Sequence, residues 1–407
     1  MNGRYIGLAL QGGGSYAAFT AGALRALLRP QRKLLAADEI HSISGTSGGA
    51  LNAVLLGLAI QKGERKPWLY VDQLWELNQI ESMLKARFPN LRLLPDQLLA
   101  LTIGEAKRLK ERAPRISKQL AELSKTNDYA LNCIKSLLHH AAPDLPEDPS
   151  SALLENRRPF VTIAATEVRT GMAHYFTNNA PMIRKFERFS IRRRYDLIKT
   201  LCLNGLFASV AHPSVFNAVP IDENLYWDGY YSSNPPFMHL FREGCDEVIL
   251  IRLVQQQRKS VGDDAASVRD RIEEIIQNTA PNMEIMMYLT MREILANNAE
   301  QLSAVQLKMS PRRLTRRSVF HEIRLLKSGN IGDEGYPLST LVEKLTALGE
   351  KAVGHRKGFA ATYRGTSAWL QVITEVDFET EEVRSEVLDL DKLLFEETIE
   401  EEDPFPG

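Results

Sequence analysis

The sequence predicts an α/β protein built on a mainly parallel sheet, and three observations carry that prediction. Apolar runs alternate with helical periodicities: a strand over 5–11, a helix over 15–28, a strand over 39–44 and a helix over 48–60. Strands and helices alternating at this spacing cover both faces of a parallel sheet. Glycine clusters mark both strand-to-helix junctions, and buried-strand patterns recur at 159–168, 247–253 and 319–326.

Each element has a local reason. Residues 5–11 alternate weakly and stop at Gly12, Gly13 and Gly14. Phe19, Ala23, Ala26 and Leu27 then stand at i, i+4, i+7 and i+8, on one helical face. The helix over 48–60 is apolar almost all round, the pattern of a helix buried on every side. Between 61 and 150 the character changes: amphipathic segments such as VDQLWELNQIESMLKARF follow one another with no strand between them, a helical insertion or lid. The sheet resumes at 159–168, turns at Thr170 and Gly171, and returns along AHYFTN. A helix over 196–208 is expected next, then short strands at 219–221 and 225–227. A strand at 247–253, helices to about 307, a strand at 319–326 and a helix at 338–352 complete the expected unit, 1–365. Residues 366–407 read as an acidic C-terminal tail.

Composition narrows the function classes. With 44 % hydrophobic and 25 % charged residues the chain has ample material for a core. Net charge is −1, which excludes a nucleic-acid binder on bulk charge. The span from Glu375 to Asp403 holds fourteen acidic and two basic residues, so removing its −12 leaves +11 on the rest. That remainder is basic enough to attract an anionic surface. Cys133, Cys202 and Cys245 are too few and scattered for a disulfide framework or a zinc site, and fit a reducing compartment. No metal or cofactor is expected. No signal-peptide pattern opens the sequence, and its most apolar stretch, 50–60, is too short to span a bilayer. The expectation is a cytoplasmic protein with peripheral membrane contact; export without a cleaved signal and a homo-oligomeric state stay open.

Three places can carry chemistry. Gly45-Thr46-Ser47-Gly48-Gly49 places a serine on a strand–turn–helix junction, with Gly45 and Gly49 small enough to let the turn close. A hydroxyl there projects from the sheet beside a helix N-terminus, where negative charge is favoured; a Gly/Ser connector is the bland alternative. Gly12, Gly13 and Gly14 form a nest of amides suited to an oxyanion or a phosphate. Gly12-x-Gly14-x-x-Ala17 also meets a loose dinucleotide fingerprint, but the nearest acids, Asp38 and Glu39, open the second strand instead of closing it. Asp228-Gly229 ends a hairpin, where such a pair is often only a turn. No histidine sits in a motif: His239, His321 and His355 read as packed or solvated, and His212 as an outer group at best.

Taken in order, LALQGGG, GTSGG and WDG resemble the patatin-like phospholipases of the bacterial type, serine acyl hydrolases that use a Ser–Asp dyad without histidine. VTIAATEVRTG and FASVAHPSVFNAVPIDENLYWDGYYSSNPP resemble that family's central strand and its approach to the catalytic aspartate. The resemblance covers about 6–60 and 160–253. It implies a three-layer fold with helices on both faces of the central sheet. It also implies Ser47 as nucleophile, Asp228 as base, Gly12, Gly13 and Gly14 as oxyanion hole, and a phospholipid or lysophospholipid ester as substrate. The chain departs from the family at Tyr16 and Ala17, where Arg or Lys and then Gly are common, and at Tyr230, where Gly or Ala is preferred.

An ordinary aspartate is a weak base for a serine hydroxyl, so this mechanism needs Asp228 desolvated; Trp227, Tyr230 and Tyr231 are neighbours able to dry it, with ordinary packing the open alternative. Arginines at 192–194 and Arg312, Arg313, Arg316 and Arg317 suit an anionic lipid surface, with a solvated charged face the bland alternative. The acidic tail is expected either to fold back over those arginines, so that deletion after Ser367 raises membrane binding, or to act only as a solubiliser. Two rival classes stay open: a nucleotide-binding oxidoreductase using the glycine turn, and a lid-closed effector with weak basal esterase activity.

Overall fold

The computed structural model describes residues 5–31, 34–75, 134–183, 197–297, 319–326, 338–355 and 370–389, apart from 136, 214–215, 246, 257 and 259–261. Most of the expected insertion and both arginine clusters lie outside the described residues.

Among the described residues eleven strands form one sheet. In chain order they are β1 (Ile6–Leu10), β2 (Ile40–Gly45), β3 (Phe160–Glu167), β4 (Ala173–Thr177), β5 (Ile198–Thr200), β6 (Val219–Ile221), β7 (Asn224–Asp228), β8 (Glu247–Arg252), β9 (Val319–Leu326), β10 (Leu370–Asp377) and β11 (Val383–Asp389). Their order across the sheet is β11-β10-β9-β8-β1-β2-β3-β4-β5, with β7 on β3 and β6 on β7. The run from β10 through β9, β8, β1 and β2 to β3 is parallel throughout.

The helices that frame the sheet among the described residues include α1 (Ala17–Leu28), α2 (Gly48–Gln61), α3 (Trp68–Trp75), α4 (Leu203–Val210), α5 (Phe237–Arg242), α6 (Ala265–Asn297) and α7 (Leu338–Gly354). Side-chain alternation along the strands divides them between two faces. Ile6, Leu8 and Leu10 of β1 and Ile249 and Ile251 of β8 join the core under α1, α2, α3 and α7. Ala9, Val248, Leu250 and Phe320 point the other way, against Phe237 and Leu240 of α5 and Ile285 and Tyr288 of α6. The expected three layers are there.

Two expectations need correction. Residues 198–200 are not helical; they form β5, parallel to β4, and the helix starts at Leu203, where the Cys202 thiol accepts the Gly205 N–H at 3.4 Å. Helical spacing alone did not reveal that the preceding three residues complete a sheet edge. The stretch read as tail is, over 370–389, the hairpin β10–β11 at the far edge of the sheet. Leu370, Val372, Val376 and Phe378 are buried, while most of β11's residues lie exposed or partly exposed, and charge on an edge strand discourages further pairing. Glu375 pairs with Arg324 of β9 at 3.1 Å. Truncation after Ser367 is therefore expected to bare the β9 edge and remove burial worth on the order of 5 kcal/mol, comparable to a whole domain's stability. Soluble yield and thermal unfolding check this; a truncated chain melting like the full one would refute it.

Candidate active site

The site stands at the carboxyl ends of β1, β2 and β8, the end where open α/β sheets bind ligands. β2 stops at Gly45, opposite Ile163 of β3. Ala165, two residues further along β3, pairs with His174 on one side and Asp228 on the other. β7 thus takes up the row that β2 leaves empty. The residue just past the end of β2 and the last residue of β7 are brought face to face by strand pairing.

Ser47 is the N-cap of α2, with φ +55° and ψ −127°, a left-handed backbone that serine rarely adopts. The elbow closes because Gly45 lies against the Gly49 peptide and Gly49 against the Leu10 carbonyl, leaving no room for a Cβ at either position. The Ser47 N–H donates to Ser209 Oγ of α4 at 3.2 Å, and Thr46 Oγ1 donates to the Ser233 carbonyl at 2.7 Å. The second bond ties the elbow to the loop that follows Asp228.

Asp228 is buried, and the Ser47 side chain is one of the groups that favour its ionised form. Burial pushes its pKa up from 3.8 to about 7; the Tyr230 N–H, 3.0 Å from Oδ1, and the Ser47 hydroxyl offset only part of that. Its backbone is held by Ala211, whose carbonyl accepts the Asp228 N–H at 3.0 Å, and by Thr166 Oγ1, which donates to the Asp228 carbonyl at 2.8 Å. Tyr230 and Tyr231 pack with His212, ring centroids 5.4 and 5.6 Å away. Trp227 does not join them: one residue before Asp228 on a strand, it points to the opposite face. His212 Nε2 lies 3.1 Å from the Tyr231 hydroxyl, an outer position. His239 is buried against Tyr175 with its pKa pushed down to about 3, a packed histidine as expected.

The glycine turn is partly occupied. The Gly12 N–H donates to Asn234 Oδ1 at 2.7 Å, and Asn234 Nδ2 donates back to the Gly12 carbonyl at 3.4 Å. Gly12 is thereby corrected from an oxyanion donor to an anchored residue, because a buried amide already fills its N–H. A Cβ on Gly12 would sit 2.7 Å from that of Ser47, so close approach, not donation, requires glycine here. Gly14 has φ +59°, and the Gly13 and Gly14 N–H groups find no acceptor among the described residues. Gln11 braces the turn from behind: its Oε1 accepts the N–H groups of Leu253 and Val254 at 2.8 and 3.0 Å.

Sequence reasoning missed Gln11, Ser209 and Asn234. None of the three carries a local signal, because each meets its partner far along the chain: Gln11 at Leu253, Ser209 at Ser47 and Asn234 at Gly12. The dinucleotide reading loses its geometry. Ile6 pairs with Ile40 and Leu10 with Gly45, so Asp38 and Glu39 lie at the opposite end of β2 from the glycine turn. Glu39 is engaged there with the Ala36 N–H at 2.9 Å. Among the described residues no group of His, Cys, Asp and Glu could hold a metal ion.

The sequence profile of the patatin-like phospholipase family matches residues 8–241, more than half the chain and the whole stretch from β1 to α5. The chain belongs to the patatin-like phospholipase family. Patatin-like membership places it among the lipid acyl hydrolases. Solved structures similar to it include VipD from Legionella pneumophila, 12 % identical with a TM-score of 0.32, covering 88 % of this chain and 71 % of that one. ExoU of Pseudomonas aeruginosa, solved in complex with SpcU from the type III secretion system, is 16 % identical with a TM-score of 0.20, covering 75 % of this chain and 57 % of that one. Superpositions this loose transfer no residue roles. No curated protein matches the chain.

Proposed function

We propose that the protein hydrolyses a carboxylic ester of a glycerophospholipid or lysophospholipid through Ser47 and Asp228. The observation that carries the reading is a serine on a strained elbow whose side chain acts on a buried carboxyl with a pKa raised to about 7. A base whose pKa lies near the working pH combines the ionised form with useful proton affinity, which an ordinary aspartate lacks.

Ser47 Oγ attacks the ester carbonyl carbon while its proton passes to Asp228. The carbonyl π-electrons move onto oxygen, and the Gly13 and Gly14 amides receive that oxyanion, each aligned donor contributing on the order of 3 kcal/mol. Collapse breaks the bond to the leaving alcohol, which takes the proton from Asp228 and leaves an acyl-serine. Water, deprotonated by Asp228, attacks the acyl carbon and releases the fatty acid with Ser47 regenerated. One carboxyl serves both half-reactions, so no histidine is needed.

Mass spectrometry of the products from mixed phospholipids tests this. Free fatty acid and lysolipid are expected from the wild type and none from Ser47→Ala, whose fold should be unchanged. A fluorophosphonate probe should label Ser47 covalently. Full hydrolysis by Ser47→Ala would exclude the dyad.

A further inference from the structure

α6 is built inside out. Among its described side chains the buried positions are Glu274, Asn278, Pro281, Ile285 and Tyr288, spaced four and three apart along one face. Three of the five are polar or proline, and they meet polar partners. Asn278 and Asn282 both receive Arg252 Nη1, at 3.1 and 2.9 Å, and Glu274 pairs with Arg258 at 2.8 Å. The other face is apolar and exposed: Ile272, Ile275, Ile276, Met283, Met286 and Met287 are 43–64 % accessible. Val268 extends the same stripe one turn earlier. Every exposed position from 272 to 290 is isoleucine, methionine or threonine, with no charge among them.

Scattered apolar residues on a surface need no explanation, but these are concentrated. Of the twelve large apolar side chains exposed among the described residues, seven stand on α6 and an eighth is Tyr231. The stripe from Ile272 to Met287 is about 22 Å long at 1.5 Å per residue. Burying the polar face of a helix and showing water the apolar one is the reverse of what solvation favours, so the exposed stripe needs an occupant.

Its position indicates which. Gln277 Nε2 donates to the Tyr230 hydroxyl at 2.8 Å, and Glu284 accepts from Ser233 Oγ at 3.2 Å and from the Met238 N–H at 2.7 Å. One flank of α6 is thus bonded at two points, seven residues apart, to the segment that follows Asp228, with exposed Tyr231 beside Tyr230 at a ring distance of 4.8 Å. We propose that the apolar face of α6 is a lipid-docking ridge, lying in the plane of a bilayer surface and setting the mouth of the site against it. Choosing lipid as the occupant rests on the ester-hydrolase reading above, since the ridge is continuous with a site that must receive an acyl chain. With no charged side chain among the exposed positions from 272 to 290, that part of the ridge enters the acyl boundary without desolvating a charge, and its binding is expected to scale with apolar area. Among the described residues no helix is long and apolar enough to cross a membrane, which agrees with lying on one.

Co-sedimentation with neutral phosphatidylcholine vesicles tests the proposal, with the full chain carrying Ser47→Ala so that binding is read without turnover. This protein should partition onto the vesicles in low and high salt alike. Adding Met283→Lys and Met286→Lys should lower partition about tenfold or more, because lysine keeps helix propensity while placing charge in the boundary. In the otherwise wild-type chain those two lysines should leave hydrolysis of a soluble short-chain ester unchanged. The proposal is overturned if the protein stays in the supernatant, or if the lysine variant binds as well as its parent. It is equally overturned if sedimentation equilibrium shows a dimer that the same two lysines dissociate, which would assign the ridge to a second copy. An inactive wild type that still bound vesicles would remove the dyad and leave the ridge; an active one that bound none would do the opposite.

Discussion

Asp228→Asn is expected to abolish ester hydrolysis and, at the same time, to make the protein more stable. Asparagine keeps the shape and an acceptor for the Tyr230 N–H, now 3.0 Å from Oδ1, but cannot take the Ser47 proton. Loss of a positioned general base costs about a hundredfold to ten-thousandfold, and here the base serves both half-reactions. The stability gain follows from linkage. Burial raises the folded pKa from 3.8 to about 7, so protonation favours the folded state. The cost of holding Asp228 ionised is absent below about pH 4, grows as pH rises towards 7 and is complete above that. The gap between 3.8 and about 7 corresponds to at most on the order of 4 kcal/mol. Calorimetry at pH 8 should show a melting temperature raised by several degrees in the variant, with the difference shrinking as pH falls towards 4. The same titration governs the wild type: kcat/KM for a soluble ester should rise with pH through a midpoint near 7. An Asn variant that melts lower at pH 8, or a wild-type profile flat from pH 5 to 9, would contradict the buried-base account.

Asn234→Ala should carry the second large effect, and through a different route. The side-chain hydrogen bonds of Asn234 go to Gly12 and not to Ser47 or Asp228; it clamps the Gly12 peptide from both sides, accepting its N–H at 2.7 Å and donating to its carbonyl at 3.4 Å. Truncation leaves a buried N–H without a partner, a cost of about 1–3 kcal/mol. It also frees the turn whose next two amides are proposed to receive the oxyanion, and one misplaced donor costs about a hundredfold or more in kcat. The expected result is a kcat lowered by about a hundredfold, KM nearly unchanged, the pH midpoint still near 7, and fluorophosphonate labelling of Ser47 slowed in step with kcat. A variant that is merely less stable, with kcat intact in its folded fraction, would make Asn234 a packing residue only.

The two variants separate what was readable from what was not. Gly45, Ser47, Gly49, Gly13, Gly14 and Asp228 were all legible, because each depends on a short-range requirement that leaves a mark in adjacent residues. The junction after β2 needs glycine on both sides of its serine, and a hairpin end tolerates Asp-Gly. Asn234 was not legible, since its partner lies 222 positions away and nothing local distinguishes it. Gly12 shows the same limit in reverse. Its identity was visible, but its role changed once Asn234 was found on its amide. Trp227 was misassigned because proximity in sequence was taken for proximity in space, whereas strand alternation sends neighbours to opposite faces.

Larger elements divide along the same line. β9 was placed to the residue, and α2 to within one, by patterns contained in the segment itself. The hairpin β10–β11 was misread because its acidic composition resembles a solvated tail; pairing with β9, 44 or more positions earlier along the chain, makes it part of the sheet. α6 is the sharpest case. Its periodicity announces an amphipathic helix, and any local rule would bury Ile272, Ile276 and Met283. The buried pair of Arg252 and Glu322, 3.1 Å apart, presents a polar surface that only the opposite face can satisfy.

By itself, then, the order of residues determined the local conformations and the kinds of atoms available for chemistry, because those depend on sterics and solvation within a few turns. Which of those atoms meet was decided by the tertiary structure. Strand pairing sets β7 in the row that β2 vacates, and no property of either segment alone contains that placement.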